Sequence, residues 1–340
     1  MRILVATDAW LPQVNGVVHT LQATAAAARP LGAEVHFLTP AGFRSFGLPT
    51  YRDIRLAIAP AAAVAQRIEE IAPDHIHIAT EGPLGFAARR YCRRLWRPFT
   101  TSYHTRFPEY VSARAPVPER LTYALLRWFH SASIGTMVAA PSVIADLERR
   151  GFRKLMRWSR GVDHERFHPR AASILDFPRP IFLYVGRVAI EKNIEAFLRL
   201  DLPGTKVVVG DGPARPALEA AYPLSRFLGM QVGETLAQIY SSADVFVFPS
   251  RTDTFGNVLL EALASGLPVA AFPVAGPLDV LDRSGAGVLD EDLGQACMGA
   301  LAISRDVALA HAATFTWEAS ARQFIENIKG FRAVAGTSEK

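Results

Sequence analysis

Two acids stand eight positions apart in "SRTDTFGNVLLEALASG", residues 250–266: Asp253 in a polar loop and Glu261 in the second turn of an expected helix. Gly256 lies between them, where that helix should begin. The start of a helix offers backbone N–H groups, here from about Gly256 to Val258, to phosphate or sugar oxygens. Glycine lets a ligand come close to the chain. A carboxylate one turn further in can accept hydrogen bonds from two neighbouring hydroxyls, as a ribose presents them. The plainer alternative makes Asp253 a helix-capping acid and Glu261 part of a solvated face.

Two cations stand in a comparable place. In "IFLYVGRVAIEKNIE", residues 181–195, Arg187 ends an apolar run and Lys192 falls about one turn into the next expected helix. Arg187 with its planar fork and Lys192 as a point charge could hold a diphosphate between them. Ordinary surface solvation remains the alternative for such a pair. The stretch "VVVGDGPARPAL", residues 207–218, has a single Gly-x-Gly and lacks a third glycine, so it reads as a tight turn with Asp211 in a structural role.

These residues need strands and helices to place them. Short β-rich runs alternate with helical patterns: "ILVAT", "EVHFLT", "HIHIA", "FTTSYH" and "TMVAA" in the first half, then "IFLYVG", "KVVVG", "RFLGM", "DVFVFPS" and "LPVAAF". Alternation of this kind predicts parallel sheets covered by helices, and the proline- and turn-rich stretch 161–180 separates two such sets. The expected organisation is α/β: a Rossmann-like domain over 1–165, a linker over 166–180, a second Rossmann-like domain over 181–316, and a C-terminal helix over 317–335 returning to the first. Ligands of doubly wound sheets sit outside the carboxyl ends of the strands, where the residues above fall.

Composition narrows the function classes. The chain has 340 residues, 50% hydrophobic and 20% charged, enough for two cores. Its two cysteines, Cys92 and Cys297, form no CxxC pair, which disfavours a zinc site or a disulfide scaffold. No apolar run approaches the roughly 20 residues of a spanning helix, and the N-terminus lacks a secretory pattern. A cytoplasmic protein is expected.

The net charge of +5 is unevenly divided. Residues 1–160 hold 21 Lys and Arg against 11 Asp and Glu, whereas the remainder holds 16 against 21. A basic first half beside an acidic second half points to an anionic partner for the first half alone. Arg89, Arg93 and Arg97, flanked by Arg90 and Arg94, form an expected basic stripe, and "RRGFRKLMRWSR" at 149–160 adds six cations. In "ERLTYALLRWFHSAS", residues 119–133, Leu121, Ala124, Leu125, Trp128, Phe129 and Ala132 share a helix face with Arg120 and Arg127 off it. That face either packs into the core or meets a membrane surface.

The motifs "YVGRVAIEKNIE", "VGDGP", "FLGMQVGETLAQIYSSADVFVFPSRTDTFGNVLLEALASGLPV", "DAWLPQVNGVVHTL" and "SYHTRFPEY", in their order along the chain, resemble the retaining glycosyltransferases of family four, which have the GT-B architecture. The resemblance runs from Met1 to about Ile328. It extends to enzymes that glycosylate diacylglycerol or phosphatidylinositol and to mannosyltransferases that use GDP-mannose.

What the resemblance implies is specific. Arg187 and Lys192 would hold the diphosphate of a nucleotide-sugar donor, Glu261 its ribose, and the backbone from Phe255 to Val258 its sugar and phosphate. Gly229, Met230 and Gln231 would meet the base through the backbone. Asp253 stands where the family has the first glutamate of a glutamate-x7-glutamate motif, against the donor sugar. It is one methylene shorter, which loosens the link between this position and donor identity. From the first domain, Asn15 and Gly16 would face the diphosphate, with the Gly16 N–H reaching it, and His104 would lie near the reacting carbon.

A UDP-sugar is favoured over a GDP-sugar as donor, with no other cofactor. No Asp-x-Asp pair is read as a Mg²⁺ site, so the leaving diphosphate would be met by the two cations and by helix N-termini, without metal. Retention in similar enzymes implies front-face substitution, with His104 positioning the donor rather than acting as a base. The expected acceptor is a membrane glycerolipid such as diacylglycerol at the cytoplasmic face, reached through peripheral contact of the N-terminal domain with anionic lipid. A soluble or polysaccharide acceptor is the alternative. A basic nucleic-acid-binding module would use the same arginines, but it leaves Arg187, Lys192, Asp253 and Glu261 unexplained, and no nucleic-acid partner is expected. A nucleotide-sugar epimerase is a more distant alternative.

Overall fold

The computed structural model describes residues 1–12, 15–48, 51–112, 117–281 and 283–335. The polar tail from Gly336 lies outside them. The chain forms two compact units, Met1–Arg160 with the chain from Trp317 onward, and Gly161–Thr316.

The first unit is built on a six-stranded parallel sheet in the order β2-β1-β5-β6-β7-β8. Its strands are β1 (Arg2–Ala6), β2 (Glu34–Leu38), β5 (His75–Ile78), β6 (Phe99–Tyr103), β7 (Gly135–Val138) and β8 (Leu155–Arg157). An antiparallel pair, β3 (Ser45–Leu48) and β4 (Tyr51–Ala57), stands apart from it. Helices α1 (Gly16–Ala28), α2 (Ala61–Ile71), α3 (Pro83–Arg94), α4 (Phe107–Ser112), α5 (Glu119–Ser131) and α6 (Pro141–Arg149) connect the strands.

A parallel sheet must be covered on both faces. On one face Leu4, Ala6, Ile76 and Ile78 pack with Val64, Ile68, Leu84, Ala88 and Phe129. On the other, Ile3 and Val5 pack with Leu21, Ala28, Trp158 and a stripe of the last helix. That stripe is Ala321, Phe324, Ile325 and Ile328, at helical spacing, and each large side chain so buried stabilises by about 2 kcal/mol.

The second unit repeats the scheme, with the parallel order β11-β10-β9-β12-β13-β14. These are β9 (Ile181–Val185), β10 (Thr205–Val209), β11 (Arg226–Phe227), β12 (Val245–Phe248), β13 (Val269–Ala271) and β14 (Gly287–Leu289). Around them lie α7 (Ile194–Leu198), α8 (Arg215–Ala221), α9 (Gly233–Ser242), α10 (Asn257–Ala264), α11 (Ala275–Leu281), α12 (Leu293–Ala300) and α13 (Arg305–Ala312). The last helix, α14 (Trp317–Ala335), packs on α1 of the first unit.

The strand order reverses between β9 and β12, so the crevice of this sheet opens at their carboxyl ends. Residues 166–180, read as a linker, are hydrogen-bonded to this unit: the Arg170 N–H donates to Ser241 Oγ at 2.6 Å and the Ile174 N–H to Ser242 Oγ at 3.0 Å. Phe167 is buried edge-on against Tyr240.

Two sequence expectations about surfaces change. In α5 the buried residues are Tyr123, Leu126, Phe129 and His130, while Leu121, Leu125 and Trp128 are about half exposed. Of the stripe read from the sequence, only Phe129 is buried. Buried polar partners decide the choice, since Tyr123 donates to Glu109 Oε1 at 2.6 Å and the His130 ring pairs with Glu81 and Thr101.

Arg89 leaves the basic stripe as well. It is buried, donates to the carbonyls of Phe129 and Trp128 at 2.9 and 3.0 Å, and stacks 3.8 Å over the Trp128 ring, fastening α3 to α5. Arg90, Arg93 and Arg94 stay exposed. Among the described residues, no helix is long and apolar enough to cross a membrane.

Candidate functional site

Four loops meet at the crevice of the second sheet. After β9 the chain turns at Gly186 and Arg187, and the Tyr184 hydroxyl steadies the turn by donating to the Arg187 carbonyl at 2.9 Å. The turn after β10 lies directly against it. A Cβ on Gly210 would fall 1.9 Å from the Gly186 carbonyl oxygen, and one on Gly212 2.3 Å from that of Val188. The "VGDGP" glycines are therefore fixed by backbone-to-backbone packing, and Asp211 accepts from the Gly212 N–H and from Arg215. It is a turn residue, as read from the sequence.

Lys192 is not one turn into a helix. It closes a short 3-10 turn, Ile190–Lys192, ended by Asn193 in the left-handed conformation at φ 52°. Asn193 Nδ2 donates to the Pro249 carbonyl and Thr252 Oγ1 to the Glu191 carbonyl, which ties this turn to the loop after β12. Lys192 Nζ then donates to Asp253 Oδ1 at 2.5 Å, with both side chains about four-fifths buried.

Asp253 consequently does not cap α10. That position belongs to Gly256, at φ 87°, and no side chain caps the helix. A Cβ there would press on Phe248 and Leu259 at 3.1 and 3.2 Å, so the glycine meets both a backbone and a packing demand. The second Asp253 oxygen, Oδ2, is buried without a hydrogen-bond partner among the described residues. Phe255 is buried, and Asn257 and Val258 open α10 half-buried.

Glu261 is no solvated acid. The Tyr240 hydroxyl, fully buried on α9, donates to its Oε2 at 3.0 Å. Burial of the carboxyl, partly offset by the Tyr240 hydrogen bond and the charge of Arg166, pushes its pKa up to about 7. Such a group can pass from neutral acid to carboxylate when a polar ligand arrives.

Gly229 follows β11 at φ 69°, and its carbonyl accepts from the Gly210 N–H at 2.8 Å, which brings this loop to the same strand ends. Met230 beside it is 59% exposed. Arg187, Lys192, Asp253, Phe255–Val258 and Gly229–Met230 thus stand on loops at the carboxyl end of one sheet, with Glu261 one turn into α10.

In the first unit, Asn15 and Gly16 start α1, although Gln13 and Val14 before them lie outside the described residues. Asn15 Oδ1 accepts from the N–H groups of Val17 and Val18, both at 3.0 Å. Its side-chain oxygen caps the helix, so a ligand contact from this side chain would come from the Nδ2 donors.

His104 follows β6. Its Nδ1 receives a hydrogen bond from Arg160 Nη2 at 3.1 Å, and its ring lies edge-on to Trp158 at 5.7 Å. Burial first, then the charges of Arg160, His77 and His130, hold its pKa well below the usual 6.5. The sequence reading missed Arg160. It was counted among the basic surface, yet it is 5% exposed and donates to the Trp158 and Ser159 carbonyls.

One Asp-x-Asp pair was overlooked too. Asp290 and Asp292 have that spacing, but Asp292 caps α12 by accepting from the Gly294 and Gln295 N–H groups, and Asp290 accepts from the Asp292 N–H. Both acids serve the turn into α12.

Known proteins resemble this chain over most of its length. Residues 14–166 match the family model described as Glycosyltransferase Family 4, and residues 179–303 the one described as Glycosyl transferases group 1. The chain is 31% identical over 315 residues to a GDP-mannose-dependent alpha-mannosyltransferase of Mycobacterium tuberculosis, spanning 85% of this chain and 83% of the relative. It is 26% identical over 322 residues to an alpha-monoglucosyldiacylglycerol synthase of Streptococcus pneumoniae, spanning 80% and 71%. Among solved structures, sucrose-phosphate synthase from Thermosynechococcus elongatus superimposes with a TM-score of 0.78 at 22% identity, covering 98% of this chain and 99% of that one.

Proposed function

Because the chain belongs to the group 1, family-four glycosyltransferases and shares their GT-B architecture, we propose that it transfers a hexose or hexuronate from a nucleotide-diphosphate sugar to a membrane glycerolipid, with retention of configuration. That it is a glycosyltransferase using a nucleotide sugar follows from the family. The observation that carries the finer reading of the donor site is the Lys192–Asp253 pair, set beside Arg187 and the start of α10 at one sheet end.

In this reading the donor diphosphate draws Lys192 from Asp253, and Arg187 and the α10 N–H groups complete its cradle. Asp253, released, accepts from a sugar hydroxyl, for which its buried Oδ2 already offers a lone pair. Glu261 takes two ribose hydroxyls as a carboxylate. As the glycosidic C–O bond breaks, charge grows on the departing phosphate, where Lys192 and Arg187 stabilise it without metal. The acceptor hydroxyl enters on the same face and gives its proton to that phosphate oxygen. His104, neutral and tethered, supports the sugar by hydrogen bonding.

The glycerolipid acceptor rests on the first unit. Leu121, Leu125 and Trp128 lie exposed at helical spacing on α5, and Arg89 links them to α3, whose end carries Arg90, Arg93, Arg94, Leu95 and a 92% exposed Trp96. Apolar side chains among arginines suit an anionic leaflet, where each cation contributes about 1 kcal/mol. We place the protein at the cytoplasmic face, bound peripherally. The name of the pneumococcal relative fits such an acceptor. A UDP-sugar is the donor in this first reading. A second, GDP-mannose-dependent mannosyl transfer, is favoured by the mycobacterial relative.

Donor turnover separates these readings. UDP-glucose, UDP-glucuronate, UDP-galactose and GDP-mannose would each be offered in EDTA, with and without diacylglycerol vesicles. Vesicle-dependent release of UDP supports the first reading and of GDP the second. Turnover indifferent to vesicles removes the lipid acceptor, and loss of turnover in EDTA removes metal independence.

A further inference from the structure

Arg160, like Arg89, is a buried charge of the first unit. It is 5% exposed, and no carboxylate among the described residues lies within ion-pair distance of it. Its guanidinium lies 4.6 Å over the Trp158 ring, and its Nη1 is occupied by the carbonyls of Trp158 and Ser159 at 2.7 and 3.2 Å. Its Nη2 meets Nδ1 of His104, 3.1 Å away. Burying a charge without a counter-charge is costly, so an arrangement of this kind needs a reason.

The chemistry of the contact fixes the ring. A guanidinium has five N–H groups and no acceptor, so Arg160 is the donor and Nδ1 must present a lone pair. A neutral imidazole carries one proton, which is then on Nε2. An imidazolium would set a second N–H against the guanidinium and add a like charge.

We propose that Arg160 is a positioning residue for His104: its guanidinium keeps the ring neutral with the proton on Nε2, so that His104 meets the substrate as a hydrogen-bond donor and not as a proton acceptor. The inference rests on the reading above that places His104 at the donor sugar. Among the described residues, the charged and titratable groups that act on the ring are Arg160, His77 and His130. His77 is itself engaged through both nitrogens, with Thr100 Oγ1 at 2.8 Å and Ser102 Oγ at 2.7 Å, and burial pushes its pKa well down. Burial also lowers the Arg160 pKa to about 9, which leaves it charged at neutral pH. A front-face reaction fits such a ring, because the acceptor proton goes to the leaving phosphate and a base beside the anomeric carbon has no task.

The test is the ¹⁵N spectrum of the histidine-labelled full-length protein, with His104 identified by its loss in His104→Gln. The expected result is a pyridine-like Nδ1 and a pyrrole-like Nε2, unchanged from about pH 5.5 to 8.5, where a free histidine would titrate. Arg160→Met should mix the tautomers, lower kcat about 10- to 100-fold with little change in donor KM, and move any acidic limb of the kcat profile upward while burial still keeps it below the free-histidine range. Arg160→Lys, which keeps one charged donor, should restore the wild-type tautomer and reverse that shift.

A wild-type His104 protonated on Nδ1 would overturn the proposal. So would an Arg160→Met protein with unchanged tautomer and kcat. If Arg160→Met does not fold, the wild-type and Arg160→Lys spectra decide. A locked Nε2–H tautomer together with full turnover by His104→Ala would leave the tether standing and remove the donor-site reading instead.

Discussion

Lys192 and Asp253 neutralise one another across 2.5 Å, so the cation assigned to the donor diphosphate and the acid assigned to the donor sugar are each other's partner before any donor binds. The two loops carrying them are already fastened by Asn193 to Pro249 and by Thr252 to Glu191, so little backbone movement is needed to exchange partners. Donor binding then requires both halves at once: a diphosphate to take the lysine and a hydroxyl to take the aspartate.

Asp253→Ala should therefore separate nucleotide binding from turnover. With Lys192 released, affinity for the free nucleoside diphosphate is expected to hold or rise, while kcat/KM for the nucleotide sugar falls about 10- to 100-fold through loss of a charged hydrogen bond to the sugar. Calorimetry with UDP and GDP, set beside steady-state turnover, reads the two effects. A parallel loss of both would show that the pair acts as a structural clamp.

Asp253→Glu tests the missing methylene. The longer acid can reach the sugar and still meet Lys192, so the ranking of donor sugars should change more than the ranking of nucleotides. A competition assay with two sugars on one nucleotide would expose this, and an unmoved ratio would mean that Asp253 does not read the sugar.

The placement of several candidate residues at strand ends was legible because it depends on local sequence. Arg187, Gly210 and Gly212 come just after apolar runs and Gly256 just before one, and the physical demands on them operate over a few residues. The details that depended on distant partners were not legible. Nothing near Arg160 in the chain announces His104, and nothing near Asp253 shows that it pairs with a lysine rather than capping a helix. Helix α5 failed for a related reason. It carries two sets of large side chains, Leu121, Leu125 and Trp128 against Tyr123, Leu126 and Phe129, and periodicity cannot rank them. The buried Tyr123 and His130 are satisfied by Glu109 and Glu81, residues remote in sequence. Strands β8 and β14, three residues each, were too short to stand out.

Exposed leucines on α5 give a direct test of the membrane reading. Leu121→Gln with Leu125→Gln removes apolar surface that is about half exposed, so the melting temperature should fall by no more than a few degrees. Flotation with anionic vesicles at low salt should lose most of the bound protein. Retention of vesicle binding would direct attention away from α5.

Glu261 predicts a pH dependence with a definite sign. Its folded pKa of about 7 lies above the ordinary 4.5, so folding favours the protonated form. Its contribution to stability is complete below pH 4.5 and is lost as pH rises through about 7. Donor binding runs the other way. Two ribose hydroxyls need acceptor oxygens, which the carboxylate supplies in full, so affinity for a nucleotide sugar should increase from pH 6 to 8, roughly tenfold per unit at most below the pKa. The diphosphate diester of a nucleotide sugar has no proton to lose in this range, which leaves Glu261 as the titrating group. Calorimetry in two buffers of different ionisation enthalpy should register proton release on binding near pH 6.5. Glu261→Gln should flatten the profile, and Tyr240→Phe, which removes the hydrogen bond that favours the carboxylate, should move the rise to higher pH. An affinity independent of pH in the wild type would mean that the ribose is held elsewhere.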